Sequence, residues 1–343
     1  MDAQNGPCCE SVSYACHDLW ISLRGSPRLC DDGVMKTPRP LPASLSAPFT
    51  VQEAAEAGVS RRRLKHGSLH IPSRGIRMPA EQPGTLRLHA RPLTLVTQFS
   101  AASHATAFLI WDFPGFLPDS HAPGIHISRP DTMAIARRRG VIGHVGQFFD
   151  DEITWVDGVL VTTRNRTWLD CARKMSIDEL TVVADHLLRH PRPAIENRTD
   201  PYASPGQLAE MLDRHKGTPG IRKARVALEQ ARIGADSAPE TRLRLALSRS
   251  GLPEPDLNVA TVLRPGVARQ PDLAYPKYRI AVEYEGAVHS DAAQVIRDIA
   301  REEDFSGAGW ILVRISKRHM ENDARAAVAK VRAALASRGW QPN

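Results

Sequence analysis

The segment 271–289, PDLAYPKYRIAVEYEGAVH, constrains the fold more than any other stretch of this chain. Residues 269–275 and 280–285 read as two strands, and Pro276-Lys277-Tyr278-Arg279 between them is short enough to make them antiparallel neighbours. A hairpin centred between Lys277 and Tyr278 sets Asp272 opposite Glu283. Directly opposed side chains lie roughly 5 Å apart at Cβ, where two carboxylates repel unless a cation sits between them. Period-two alternation puts Glu283 and Glu285 on one face, with Ile280, Val282 and Tyr284 on the other.

An oxygen-only set of this kind suits Mg2+ or Mn2+, which hold a phosphate and acidify a water, and nothing in it suggests zinc. The plainer reading is the acidic edge of an ordinary hairpin, and the flanking sequence shifts the balance. Upstream, Ser237-Ala238-Pro239-Glu240 reads as a helix start with Ser237 as N-cap and Glu240 completing a capping box. Downstream, residues 291–308 read as a charged helix, 310–315 (WILVRI) as a buried strand and 322–337 as an amphipathic closing helix. The expected order is helix, three strands, helix, strand, helix.

With SAPETRLRLALSRSGLPEP, RQPDLAYPKYRIAVEYEG, His289, RDIAREEDF and GWILVRIS in place, residues 237–340 resemble the PD-(D/E)XK nuclease superfamily. Within it they are similar to bacterial domains related to the very-short-patch-repair endonuclease. The resemblance implies Asp272 as central metal ligand, Glu283 as the second, and Glu240 as a completing or supporting acid. It makes His289 a general acid or base or a phosphate contact, and assigns Asp298 and Arg301 to an RD-x-x-R helix in which Asp298 orients a neighbour. One position departs: the superfamily expects a lysine two residues after the third-strand acid, and Glu285 stands there. A lysine would stabilise charge building on the phosphorane. Glutamate supplies no such charge, and acts as a further ligand or a base.

The chain has 343 residues, enough for two or three domains, and 42% are hydrophobic. Lys and Arg number 45 against 38 for Asp and Glu, a formal +7 compatible with a nucleic-acid partner. Basic residues cluster in Ser60-Arg61-Arg62-Arg63-Leu64-Lys65-His66. Thr50 caps a predicted helix through residue 57, Ser60 caps a second through residue 66, and residues 69–78 form a small wing turning at Ser73-Arg74-Gly75. In such a winged helix-turn-helix, Arg61, Arg62, Arg63, Lys65 and Arg74 are the candidate DNA contacts. The A-x-x-x-G-V-S-R-R-R-L and R-G-I-R segments resemble the N-terminal domain of AbiEi-type antitoxins, which implies DNA-binding repression in a toxin–antitoxin pair. That family's additional leading helix is missing, because residues 36–48 are too proline-rich to form one.

The middle region carries helices at 100–110, 166–174 and 177–189 and strands at 125–128 and 159–163. Its SHATA, GVIGH and VTTRNRTWLD segments again resemble AbiEi-like proteins. His104 reads as a structural histidine, and His126 and His144 lack metal-ligand spacing. Residues 205–215 and 220–232 read as connecting helices. Cys8, Cys9, Cys16 and Cys30 lack the paired spacing of a zinc site, and the hydrophobic run 19–23 is too short for a leader or membrane span. We therefore expect a disordered extension in a reducing cytoplasm, with Met35 as the true start.

The expected whole is a multidomain α/β protein: an extension (1–47), a small winged helix-turn-helix (48–80), an α/β middle region with a helical connector (92–234), and a restriction-endonuclease-like α/β domain with a central mixed sheet (237–340). Its expected function is Mg2+- or Mn2+-dependent cleavage or nicking of DNA. The competing expectation is an antitoxin-like repressor with a degenerate nuclease fold, partnered by a toxin. A repair or modification enzyme encoded nearby would accompany the first reading; neither involves a membrane.

Overall fold

The computed structural model describes residues 38–80, 85–121, 124–193, 195–286 and 292–342, and its mixed α/β elements fall into two units. One comprises Met1–Met175 with Met211–Ile221, the other Ser176–Glu210 with Arg222–Asn343. His289, Met35, Cys8, Cys9, Cys16 and Cys30 lie outside the described residues.

In the first unit, β1 (Phe49–Thr50) leads into α1 (Val51–Glu56). A reciprocal cap sets that junction: Thr50 Oγ1 accepts from Glu53 N at 3.0 Å, and Thr50 N donates to Glu53 Oε2 at 2.8 Å. The wing is present as β2 (Leu69–His70) antiparallel to β3 (Ile76–Pro79), with β1 on the other side of β3. Gly75 turns it at φ +82°, a conformation that side chains rarely adopt. The expected second helix is instead a single 3-10 turn, Arg63–Lys65. A run this short gains too few hydrogen bonds to propagate. Arg63 folds back onto Arg39 O (2.8 Å) and Ser68 Oγ (3.1 Å) while Leu64 drops into the core, so the chain curls into the wing. Leu45 is buried with Phe49, Ala54, Leu64 and Leu69, so the module starts earlier than the expected residue 48.

The rest of this unit is a five-stranded mixed sheet. After α2 (Leu86–Val96) come β4 (Ala101–Ala102), α3 (His104–Ile110), β5 (Ile125–Pro130), β6 (Val141–Gly146), β7 (Ile153–Val156), β8 (Val159–Thr162) and α4 (Arg164–Cys171). The strand order is β6-β5-β4-β8-β7. The expected helix at 100–110 therefore begins only at His104. Ala101 and Ala102 carry only methyl groups, so β5 and β8 approach β4 closely from its two sides, with Ala101 opposite Ser128 and Ala102 opposite both Ile127 and Val161.

The second unit opens with α5 (Ile177–Leu188), whose N-cap Ser176 accepts from Glu179 N at 3.2 Å. The helix α6 (Pro205–Arg214), whose residues from Met211 onward belong to the first unit, precedes α7 (Ile221–Gln230) and α8 (Ala238–Arg249). Five strands follow where three were expected: β9 (Asp256–Leu257), β10 (Thr261–Arg264), β11 (Val267–Arg269), β12 (Leu273–Tyr275) and β13 (Ile280–Glu285). The predicted strand 269–275 is split because Arg269 belongs to a separate β10–β11 hairpin, and Pro271, which lacks an N–H, breaks the run. Then come α9 (Ala292–Gly307), β14 (Ile311–Ser316) and α10 (Glu321–Ser337). The sheet order is β14-β13-β12-β9, with β13 and β14 parallel and the other pairs antiparallel. Leu243, Leu247, Leu273, Ile280, Val282, Val313, Ile315, Val331 and Leu335 form one core from both helices and the sheet.

A buried ion pair ties α5 to α8. Asp185, 1% exposed, accepts from Arg244 Nη2 (3.0 Å), Thr241 Oγ1 (2.9 Å) and Arg232 N (2.7 Å). Removing one partner of such a pair leaves an uncompensated charge. Asp185→Ala is therefore expected to destabilise this unit by about 3–5 kcal/mol, read as a lower urea midpoint. A change under about 1 kcal/mol, the size of an exposed pair, would contradict this account.

Candidate active site

The β12–β13 register is Leu273↔Val282, Ala274↔Ala281, Tyr275↔Ile280, so the next pair outward is Asp272 and Glu283. The connection is a 3-10 turn, Pro276–Tyr278, closed by Arg279 at φ 51°. Ile280 and Val282 point into the core and Glu283 to the opposite face. Asp272 Oδ2 accepts from the main-chain N–H of Tyr284 at 2.7 Å, which anchors its carboxylate against β13.

Glu240, from the first turn of α8, is 6% exposed and accepts from Asp236 N (3.0 Å), Ser237 Oγ (2.7 Å) and Asn258 Nδ2 (2.7 Å). The expected capping box is altered: Ser237 donates to the Glu240 carboxylate rather than accepting a backbone N–H. Burial raises the Glu240 carboxyl above its usual range. The Asp272 carboxyl is pushed up to about 7, by burial first and then by the charges of Glu240 and Glu283, against the opposing bond from Tyr284.

Two arginines reach this face. Arg301, from α9, pairs with Glu283 and donates through Nη2 to Gln270 O at 2.8 Å. Arg314, opposite Glu283 in the parallel β13–β14 register, lies 3.2 Å from Glu285 and 3.0 Å from Glu302. It also donates to the main-chain oxygen of Asp298 at 3.4 Å. Asp304 clamps the β10–β11 hairpin to α9 through Arg264 (3.0 Å) and Arg269. Among the described residues no group of three or more His, Cys, Asp or Glu side chains is arranged to hold a metal ion.

Of the predicted site residues, then, Asp272 and Glu283 face each other, Glu240 stands behind them with its oxygens engaged, and Glu285 is turned to Arg314. Sequence reading missed Arg314 and Asn258, whose roles depend on strand pairing and on a turn far away in sequence. In the first unit Arg61, Arg62, Lys65 and Arg74 are exposed, whereas Arg63 is a structural residue. The same unit gathers His104, His126 and His144 into one stack, which their sequence spacing did not suggest.

No family model matches the chain, and no solved structure does. It is similar to two Mycobacterium tuberculosis proteins, Uncharacterized protein MT2308 of strain CDC 1551 / Oshkosh and Uncharacterized protein Rv2248 of strain ATCC 25618 / H37Rv. Each is 29% identical over 161 residues, or 47% of this chain. The match spans 56% of the length of each of these curated relatives.

The folded protein holds the Asp272 proton up to about pH 7, whereas an unfolded chain releases it near pH 4. Stability should therefore fall as pH rises between those values and level off above them. Asp272→Asn keeps an acceptor for Tyr284 N–H. It is expected to raise the melting temperature above pH 7 and to leave it unchanged near pH 4, in buffer free of divalent cations. An equal shift at both pH values would show that ionisation of Asp272 is not the cause.

Proposed function

We propose that this chain is a metal-dependent DNA endonuclease of the PD-(D/E)XK type, hydrolysing or nicking phosphodiester bonds, with the N-terminal basic module contributing DNA affinity. The observation that carries this reading is the opposition of Asp272 and Glu283 across the β12–β13 hairpin, between α8 and a parallel fourth strand. Two carboxylates with water completing the shell fit Mg2+ or Mn2+, which bind through one or two acids and the substrate phosphate. The raised Asp272 carboxyl supports this fit, because its crowding with Glu240 and Glu283 is of the kind a cation relieves. When bound, such an ion supplies Lewis acidity and a more acidic water.

The chain's own residues do the remaining work. Asp272 is oriented by Tyr284 N–H, and Glu240 is locked behind it by three donors. Arg314 and Arg301 supply positive charge on the face where the superfamily carries a lysine, and Glu285 and Glu302 hold Arg314 in place. Guanidinium groups so fixed suit a phosphate, whose oxygens accept two parallel N–H bonds.

One observation favours a second reading, a DNA-binding regulator whose nuclease fold no longer cuts: Arg301 already neutralises Glu283 and Arg314 neutralises Glu285. The two readings separate on supercoiled plasmid with Mg2+ and then Mn2+. The expected result is nicked or linear product from the intact protein, loss of it with Asp272→Ala, and faster cutting with Glu285→Lys. Absence of product on plasmid, mismatched and single-stranded DNA, together with salt-sensitive binding to its own promoter fragment, would establish the regulator.

For the module, the double substitution Arg61→Ala, Arg62→Ala is expected to weaken duplex binding uniformly across sequences. The slope of log affinity against log salt should fall by about 2, roughly one unit for each phosphate no longer neutralised. An unchanged slope in a filter-binding titration would place DNA contact elsewhere.

A further inference from the structure

We infer that the first unit holds a second binding site, for the phosphate group of a small phosphate monoester, in a polar cavity beside the histidine stack. The cavity measures about 530 Å³, within the range of small-molecule sites. Its lining includes His104, His144, Arg166, Asp170, Arg173 and Lys216.

Arg166 anchors one wall of this cavity. Its residue is only 4% exposed, and it is fixed on every side but one. Nε donates to Asp170 Oδ1 (2.8 Å), Nη1 to Glu152 Oε2 (2.7 Å) and Gln147 O (2.6 Å), and the guanidinium lies 3.9 Å over the Phe148 ring. Glu152, fully buried, is itself held by His215 Nε2 at 2.6 Å. Nη2 takes part in none of these bonds. It borders Gly146, where a Cβ would come within 3.3 Å of it, so the missing side chain keeps that nitrogen clear. A buried guanidinium held this rigidly loses little freedom when it donates its last N–H bonds to an oxyanion.

The histidines complete the donor set. Ser128 Oγ donates to Ser103 Oγ at 2.7 Å, and Ser103 Oγ lies 3.0 Å from His104 Nδ1. In the tautomer in which Ser103 donates to His104 Nδ1, Nε2 carries the N–H of that ring. His104 stacks on His144 with ring centres 3.7 Å apart, and His144 Nε2 bonds His126 Nδ1 at 3.0 Å. Burial is the first cause of lowered values in all three, to about 3 for His104 and His144 and about 4 for His126, so the stack is neutral near pH 7. No group able to hold a metal ion occurs among the described residues.

Two further observations bear on the ligand. The lining has Arg166, Arg173, Arg214 and Lys216 against Asp131 and Asp170. Behind the lining, Asp151 pairs with Arg214 and Glu152 with both Arg166 and Arg214, so the acids at and behind the wall match the four bases in number and the donor geometry of Arg166 carries the recognition. Asp170 Oδ2 is buried without a hydrogen-bond partner. Such an acceptor beside a cavity is satisfied when a bound group brings in an ordered water or a hydroxyl.

Isothermal titration of the full chain with inorganic phosphate, ribose 5-phosphate and 5′-AMP, with adenosine as the phosphate-free control, tests this. The phosphate-bearing probes are expected to bind and adenosine not to. Lys216→Ala, at an exposed position, should weaken 5′-AMP by about fivefold, as removal of one charge-assisted hydrogen bond would. Gly146→Ala should weaken it by about tenfold or more, with unchanged circular dichroism. Failure of all three phosphates to bind at millimolar concentration, adenosine binding as well as 5′-AMP, or unaltered affinity in both variants would overturn the assignment.

Discussion

The register of the β12–β13 hairpin is the constraint on which the second unit depends. It is set by a four-residue connection and by the burial of Leu273, Ile280 and Val282 on one face. A slip of one residue would turn those side chains to water and bring Glu283 into the core, at a cost no other contact offsets. Held in register, the same pleat that buries the apolar residues has to present Asp272 and Glu283 together. The acidic pair is thus a by-product of core packing, and its repulsion is offset by the hydrophobic face behind it.

Neutralisation of this face comes from other elements. Arg301 reaches Glu283 from α9, and Arg314 reaches Glu285 from the neighbouring parallel strand. Both arginines are partly exposed, so a bound phosphate would compete with the carboxylates for the same guanidinium groups. In the first unit the balance differs, because Arg166 is buried and shared between Glu152 and Asp170. There the polar network has few rearrangements open to it, and rigidity replaces exchange.

Much of this was legible in the chain. Alternation in IAVEYE and the short Pro-containing connection gave the hairpin its register, and Thr50 marked the start of the first helix. Local chemistry misled at 60–66, where capping by Ser60 was real but the expected helix was not, since Leu64 packs into the core within a single turn. It also misled at 100–103, where small residues that suit a helix instead fit between two strands. The histidine stack was illegible because its members come from α3, β5 and β6, and only the strand order of the sheet brings them together. Arg314 was hidden for a similar reason, its partner being chosen by a parallel pairing across a helix.

That parallel pairing also bears on how the chain folds. The hairpin closes through a connection of four residues, whereas β14 can join β13 only after the chain has travelled through α9 from Glu285 to Ile311. Short closures form early and long ones late, because the entropy of bringing distant segments together must be met before their contacts count. Asp272 and Glu283 accordingly meet before Arg314 arrives. For an interval during folding the acids face each other without that guanidinium nearby, so the lifetime of this species should depend on pH and on ionic strength.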